Sequence, residues 1–157
     1  MTFKCVPFDS LTVRELYDIM VLRQMVFAVE QNCPYLDADG KDLDGWQLML
    51  FNTVNGNPEE GVKAALSAYT RLLPIGVSYD NYASIGRVVS APHARGTGAG
   101  KAVMQESIKQ MGQLFPNQPI KIGAQSYLLK FYESLGFEST GEEYLEDGIP
   151  HTSMILK

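Results

Sequence analysis

The residues with the clearest chemical potential form a glycine-rich run from Arg95 to Lys101, which contains Gly96, Gly98 and Gly100. Glycine lets a backbone turn with its N–H groups pointing inward and with no Cβ in the way. At the N-terminus of a helix, such donors and the helix macrodipole attract an anion such as a pyrophosphate. The run follows a strand-like segment and precedes a helix-like one, so it predicts a phosphate-binding loop.

The spacing of the run excludes two other phosphate loops. A P-loop requires Gly-x-x-x-x-Gly-Lys-Ser/Thr, whereas Gly100 and Lys101 are followed by Ala102, and Arg95 lies five positions before Gly100. A dinucleotide fingerprint requires Gly-x-Gly-x-x-Gly, and no choice of glycines here completes it. A glycine-rich turn that serves only tight packing stays open as an alternative.

Strand and helix patterns alternate around this loop, which favours a layered α/β domain. Thr12 and Glu15 form a capping-box signature, so a helix is expected from there to about Val29. Turns are expected at Asn55–Pro58 and at Asp147–Gly148. After the glycine-rich loop, an apolar stripe over residues 104–115 predicts a second helix, and a third is predicted near residues 128–135. Strands are predicted at residues 3–8, 46–54, 62–73, 83–90, 120–124 and, after 137, 151–156.

Two ordered motifs carry a family resemblance. Arg95-x-x-Gly98-x-Gly100 after a strand resembles the acyl-CoA signature Arg/Gln-x-x-Gly-x-Gly/Ala of the GNAT superfamily. The later segment from Gln125 to Phe137, with Phe-Tyr before Gly-Phe, resembles the second motif of that family. Residues 23–40 and 146–151 resemble the ElaA-type subgroup.

The resemblance implies the α/β GNAT acyl-CoA N-acyltransferase fold as a single domain over residues 1–157. A mixed central β-sheet flanked by helices would splay open at the strand that ends near Ser90. Acetyl-CoA would be the cosubstrate, without a metal, and its acetyl group would pass to a primary amine of a small molecule or peptide by direct attack.

The resemblance also assigns the cofactor contacts. A strand edge would pair with the pantetheine arm and polarise the thioester carbonyl, backbone N–H groups of the loop would hold the pyrophosphate, and an amide side chain would contact the CoA arm. The strand edge is formed by Val88, Val89 and Ser90, and the amide side chain is that of Gln125. The loop consists of Arg95, Gly96, Thr97, Gly98, Ala99, Gly100 and Lys101.

Tyr132 matches the family tyrosine that protonates the leaving thiolate. A phenol has a pKa near ~10, so it is protonated and able to donate at neutral pH. The alternative is that Tyr132 is only a buried aromatic residue, a role for which the helical spacing favours its neighbour Phe131.

The general base is harder to place, because Arg87 stands on the strand where many relatives carry a glutamate. Glu30 and His151 are the candidates, since a carboxylate and an imidazole can both accept a proton. The alternatives are that Glu30 pairs with Arg71 or Arg87, and that His151 only bonds to its own turn.

The acceptor is expected to approach between two acidic segments, residues 30–44 and 142–151, which would attract an ammonium. Asp37, Asp39, Asp42 and Asp44 do not fit the EF-hand spacing of a calcium loop. Arg71 and Arg87 either neutralise the first segment or bind a carboxylate on the acceptor.

Composition excludes several classes of partner. The 13 basic and 18 acidic residues give a net charge of −5 without a dense Lys/Arg cluster, so no nucleic acid is expected. No apolar stretch suits a membrane span or a secretory signal, and Cys5 and Cys33 are expected to be reduced in a cytoplasmic protein. A homodimer stays open, as does a catalytically weak CoA-binding regulatory module.

Overall fold

The computed structural model describes the backbone of residues 1–54 and 63–157 and the side chains of residues 1–52 and 65–157. The turn expected at Asn55–Pro58 lies outside the described residues. The strands are β1 Thr2–Pro7, β2 Trp46–Val54, β3 Lys63–Leu73, β4 Ala83–Ser90, β5 Ile120–Gln125, β6 Glu138–Glu146 and β7 Ile149–Leu156, and the α-helices are α1 Val13–Arg23, α2 Ala99–Leu114 and α3 Leu129–Glu133.

The strands form one mixed sheet in the order β1-β2-β3-β4-β5-β7-β6. Among the described strands, only β4 and β5 run parallel, and they pair at two positions, Ala83 with Ile120 and Ser84 with Lys121. Beyond Ser84 the two strands diverge and leave a V-shaped gap in the middle of the sheet. The predicted fold class and the predicted splay at this strand are both confirmed.

The first helix begins as the capping box predicts. The Glu15 N–H donates to Thr12 Oγ1 at 3.1 Å, and the Thr12 N–H donates to Glu15 Oε1 at 2.9 Å. After Arg23 the chain continues as a π-helix over Gln24–Glu30, one residue beyond the predicted end. Wider π turns occur frequently at functional sites, and this one brings the end of the helix to the mouth of the gap.

Two buried clusters hold the helices on the sheet. One packs Ile19 and Leu22 of α1 against β2, β3 and β4. The other packs Met104 and Met111 of α2, the predicted apolar stripe, against β5 and β7. The last hairpin turns at Asp147 and Gly148, both with positive φ, and leads into β7 two residues earlier than predicted.

A buried ion cluster fixes the loop that follows the first helix. Arg23 is fully buried, and its guanidinium lies 2.7 Å from a carboxylate oxygen of Asp37 and 2.7 Å from one of Asp42. The same guanidinium lies over the ring of Tyr69, at 5.9 Å from the ring centroid. One side chain of α1 therefore anchors two positions of this acidic loop, which spans residues 32–45.

Replacing Arg23 by alanine would leave two buried carboxylates short of a partner. Breaking a buried ion pair on one side costs about 3 to 5 kcal/mol, and we expect a loss of that size in the free energy of unfolding measured in urea. The control is Arg14→Ala on the exposed side of the same helix, with an expected change within about 0.5 kcal/mol. Equal losses in the two variants would contradict the anchoring role.

Candidate active site

A cleft of about 980 Å³ occupies the gap between β4 and β5. The start of α2 lies at one end, and the acidic loop and the β6–β7 hairpin lie at the other. Of the residues predicted from the sequence, those that line the cleft are Glu30, Val88, Val89, Ser90, Arg95, Gly100, Gln125, Tyr132 and His151. Gly96, Thr97, Gly98, Ala99 and Lys101 form the adjoining loop and first helical turn without lining the cleft itself.

The glycine-rich loop has the backbone shape that its sequence predicts. Gly96 and Gly98 adopt φ values of 79° and 85°, and Gly98 is the N-cap of α2 without a side-chain cap. The first N–H groups of a helix have no acceptor within the helix, so they remain directed outward at this end. A Cβ on Gly100 would lie 3.3 Å from Ser90 Oγ, so this glycine lets the helix start close to the end of β4.

A β-bulge shapes the cleft wall on β4. Tyr69 pairs with Val89 and Arg71 pairs with Gly86, so Arg87 and Val88 together oppose a single residue of β3. Arg87 takes a left-handed φ of 49°, which is costly for a side chain of this kind. Bulges re-aim side chains and backbone groups next to active sites, and this one lies at the edge that β5 leaves unpaired.

Tyr132 lines the cleft with only 6% of its surface exposed. Its ring packs edge-on against Phe131 and Phe137, with ring centroids 5.1 and 6.0 Å apart. Burial, and to a lesser degree Tyr127, raises the pKa of Tyr132 to about 12, so its hydroxyl stays protonated at neutral pH.

The structure corrects the relative burial of Phe131 and Tyr132. Helical spacing over residues 128–135 favoured Phe131 as the buried ring, yet Phe131 is partly exposed and Tyr132 is buried. The physical reason is that the segment is not one regular helix: a 3-10 turn over Ser126–Leu128 precedes a short α3. The angular phase of the residues therefore differs from that of a continuous α-helix.

His151 lies on β7 between Gln125 of β5 and Tyr144 of β6. Its Nδ1 lies 2.7 Å from the carbonyl oxygen of Ile149, and because a carbonyl only accepts, Nδ1 carries the proton. The neutral ring therefore presents Nε2 as an acceptor, 3.7 Å from a carboxylate oxygen of Glu146. His151 does bond to its own turn, as the alternative held, but only through one of its two nitrogens.

Glu30 pairs with neither of the arginines that the sequence analysis considered. Its carboxylate accepts a hydrogen bond at 2.6 Å from Arg95 of the glycine-rich loop. Next to it, Gln31 accepts from Gln125 across the gap at 3.4 Å. Arg95 and Gln125, which were expected to contact CoA, therefore donate hydrogen bonds to residues at the end of the π-helix.

Arg71 and Arg87 neutralise the acidic loop. Arg71 donates to both oxygens of Asp39 at 2.8 and 3.1 Å, and Arg87 lies 2.8 Å from a carboxylate oxygen of Asp37. Burial alone would raise the pKa of Asp39, but the bonds from Arg71 hold it below its ordinary value. Asp37, Asp39 and Asp42 are thus committed to arginines, which corrects the expectation that they attract an ammonium.

Several cleft residues at the hairpin end were not predicted from the sequence, among them Tyr79, Gly86, Gly123 and Tyr144. A Cβ on Gly123 would collide with the hydroxyl of Tyr144, so this glycine makes room for that ring against β5. A glycine inside a strand often marks such a close approach, and this was the available signal. Both cysteines are free, as predicted.

Two features are absent from residues 1–54 and 63–157. None of the helices there combines the length and the apolar character that crossing a bilayer requires. Within the same residues, no three His, Cys, Asp or Glu side chains are grouped in a way that could hold a metal ion.

Comparison with known proteins agrees with this geometry. The family model described as an acetyltransferase (GNAT) domain matches residues 59–157. Protein ElaA of Escherichia coli is 38% identical over 146 residues, which cover 93% of this chain and 90% of ElaA. The crystal structure of E. coli ElaA superposes with a TM-score of 0.84 over 99% of each chain.

A second solved structure, an acyl-CoA N-acyltransferase from Pseudomonas aeruginosa, superposes with a TM-score of 0.85 at 36% identity over the whole of both chains. Identity at this level over nearly the full length, together with the family match, shows common membership. The chain therefore belongs to the GNAT family of acetyltransferases, and within it to the ElaA-type subgroup.

Proposed function

We propose that this acetyltransferase binds acetyl-CoA in the cleft and transfers the acetyl group to a primary amine by direct attack. The observation that carries the proposal is the joint placement of three features on one gap in the sheet. These are an unpaired edge of β4 beside Val88, the hydroxyl of the buried Tyr132 and the acceptor nitrogen of His151. The name of the P. aeruginosa relative, an acyl-CoA N-acyltransferase, fits an acyl-CoA cosubstrate.

The residues present fit a CoA molecule. The edge of β4 from Val88 to Ser90 lies beyond the last pairing with β5, so its backbone groups can pair with the pantetheine arm. The N–H groups at the start of α2, residues 99–101, suit the pyrophosphate, whereas the Thr97 N–H already donates to the carbonyl oxygen of Ala94. When CoA binds, Arg95 would release the carboxylate of Glu30 and bind a phosphate. Gln125 would likewise release Gln31 and bind the pantetheine arm.

The chemistry assigns one task to each group. The neutral amine nitrogen attacks the thioester carbonyl carbon, and a backbone N–H of the β4 edge stabilises the developing oxyanion. The C–N bond forms, the C–S bond breaks, and the amine proton passes to Nε2 of His151. Tyr132 donates its hydroxyl proton to the departing thiolate, for which a protonated phenol is required.

His151 suits the base role better than Glu30. Its Nε2 is an acceptor held in a fixed tautomer, and Glu146 lies nearby to offset the charge of the imidazolium. The carboxylate of Glu30 lies beside Arg95 at the CoA end of the cleft, where an acceptor amine does not need to enter.

A second candidate function is a CoA-binding regulatory module of the same fold with weak turnover. The observation in its favour is Arg87, which occupies β4 in place of the glutamate of many relatives and is tied to Asp37. Binding of acetyl-CoA without amine-dependent release of thiol would support this candidate.

Placing CoA on the glycine-rich loop predicts the effect of Gly98→Val. The branched side chain would stand where the pyrophosphate approaches, and we expect at least about tenfold weaker acetyl-CoA binding by calorimetry, or about 1.4 kcal/mol. Gly141→Val is the matched control, because Gly141 has the same φ of 85° with open space around it. Parent affinity in a folded Gly98→Val protein would refute the placement.

The acid role predicts that Tyr132→Phe slows turnover while leaving acetyl-CoA affinity unchanged. The substitution removes the proton donor and keeps the packed ring, and general acid catalysis contributes roughly 10²- to 10⁴-fold to kcat. Tyr127→Phe, on an exposed tyrosine that also lines the cleft, serves as the comparison and should match the parent. An unchanged kcat in Tyr132→Phe, where chemistry limits the rate, would exclude the acid role.

The base assignment predicts different results for His151→Gln and Glu30→Gln. Loss of the imidazole should lower kcat by roughly 10²- to 10⁴-fold, whereas Glu30→Gln should alter mainly the KM for acetyl-CoA, since it frees Arg95. Steady-state kinetics of both variants, with pH profiles, check this. A large drop in kcat for Glu30→Gln alone would reverse the assignment.

A further inference from the structure

We propose that the acceptor amine enters as an ammonium and is received at the hairpin end of the cleft by Tyr79, Tyr144 and Glu146, with Gly86 as the floor. This acceptor subsite rests on the proposed acetyl transfer and adds the substrate class to it. The four residues line the cleft together. Tyr79 lies in the segment between β3 and β4, Gly86 lies on β4, and the other two lie on β6 of the hairpin.

The charge balance at this end favours a cation. The guanidinium groups of Arg23, Arg71 and Arg87 are matched by the carboxylates of Asp37, Asp39 and Asp42. Among the described cleft residues at this end, this leaves Glu146 and Asp147 against Lys41. The charge of the arginines is already compensated by the carboxylates of their own loop, although the buried Nε of Arg71 has no hydrogen-bond partner among the described residues.

Glu146 is available to a ligand. Its side chain is 57% exposed, and the one ion-pair contact it makes with a described residue is the 3.7 Å approach to His151. Asp39 offers no such freedom, since Arg71, Arg87 and the Lys41 N–H all bind its two oxygens. A partly exposed carboxylate at the cleft rim can exchange water for an ammonium without breaking a buried pair.

The aromatic walls suit the same ligand. One face of the Tyr79 ring is occupied by the ammonium of Lys121, a residue outside the cleft lining, with Nζ at 4.8 Å from the ring centroid. This contact shows that the ring accommodates an ammonium. Tyr144 stacks on His151 at 5.6 Å, with its hydroxyl seated against Gly123. Burial first, and then the charges of Tyr79, Glu146 and Glu142, raise the pKa of Tyr144 to about 12. Aromatic faces and a carboxylate together bind an ammonium better than either does alone.

The absence of a side chain at Gly86 leaves space for the acceptor in the cleft. A Cβ built on it would meet no atom within 4 Å, and it lies one residue before the bulge that leads to the Val88 edge. A group above Gly86 is therefore beside the position of the thioester. An ammonium held by Glu146 would also lie near Nε2 of His151. It loses one proton to water before attack, and Nε2 takes the second proton as the C–N bond forms.

The test uses spermidine as the acceptor probe and compares Glu146→Gln with Glu143→Gln, a control on the same hairpin that does not line the cleft. We expect the KM for spermidine to rise about tenfold or more in Glu146→Gln, with the KM for acetyl-CoA unchanged and Glu143→Gln like the parent. Gly86→Ala should lower kcat/KM for spermidine and leave acetyl-CoA affinity unchanged, because its methyl group occupies acceptor space.

Calorimetric titration of spermidine into the protein without acetyl-CoA gives a readout independent of turnover, and Glu146→Gln should abolish the heat of binding. A parent-like KM for spermidine in Glu146→Gln overturns the subsite while acetyl transfer stands. A preference for glutamate as the acceptor also overturns the subsite. The result is clearest if this preference disappears in Lys41→Gln. Absence of acetyl-CoA binding, or binding without acetylation of any amine, overturns the proposed function instead.

Discussion

The separation of β4 from β5 after two paired positions is the constraint on which the rest of the structure depends. Buried backbone N–H and C=O groups need partners, and two strands that part inside a sheet leave theirs open. A ligand with a peptide-like arm can supply the hydrogen-bond partners that the strands do not give each other. The helix start with Gly98 lies at the open end of this gap, and Tyr132 and His151 reach it from the side of β5 and β7.

A second constraint is electrostatic. Arg23, Arg71 and Arg87 hold the acidic loop against the sheet, and the pairing leaves that loop without net attraction for a cation. The same contacts tether Arg87 on the bulge of β4, where the backbone must take a left-handed turn. Loop position, bulge geometry and the proposed positive charge of the acceptor are therefore linked through one network of ion pairs.

The elements and the glycine-rich loop were predictable because their signals are local. Thr12 and Glu15 are three residues apart, and the glycines set φ by themselves. The partners of the charged residues were not predictable, since Glu30 and Arg95 lie 65 positions apart and several arginines compete for the same carboxylates. The burial of Tyr132 and the seat of Tyr144 on Gly123 likewise depend on tertiary packing, which periodicity does not report.

The measurement that tests the central claim most directly is the release of CoA thiol from acetyl-CoA in the presence of a panel of amines, with the mass of each product determined in parallel. The account predicts thiol release that depends on the amine and a product heavier by one acetyl group on nitrogen. Tight binding of acetyl-CoA with no amine-dependent release, across polyamines, lysine peptides and amino acids, would contradict it.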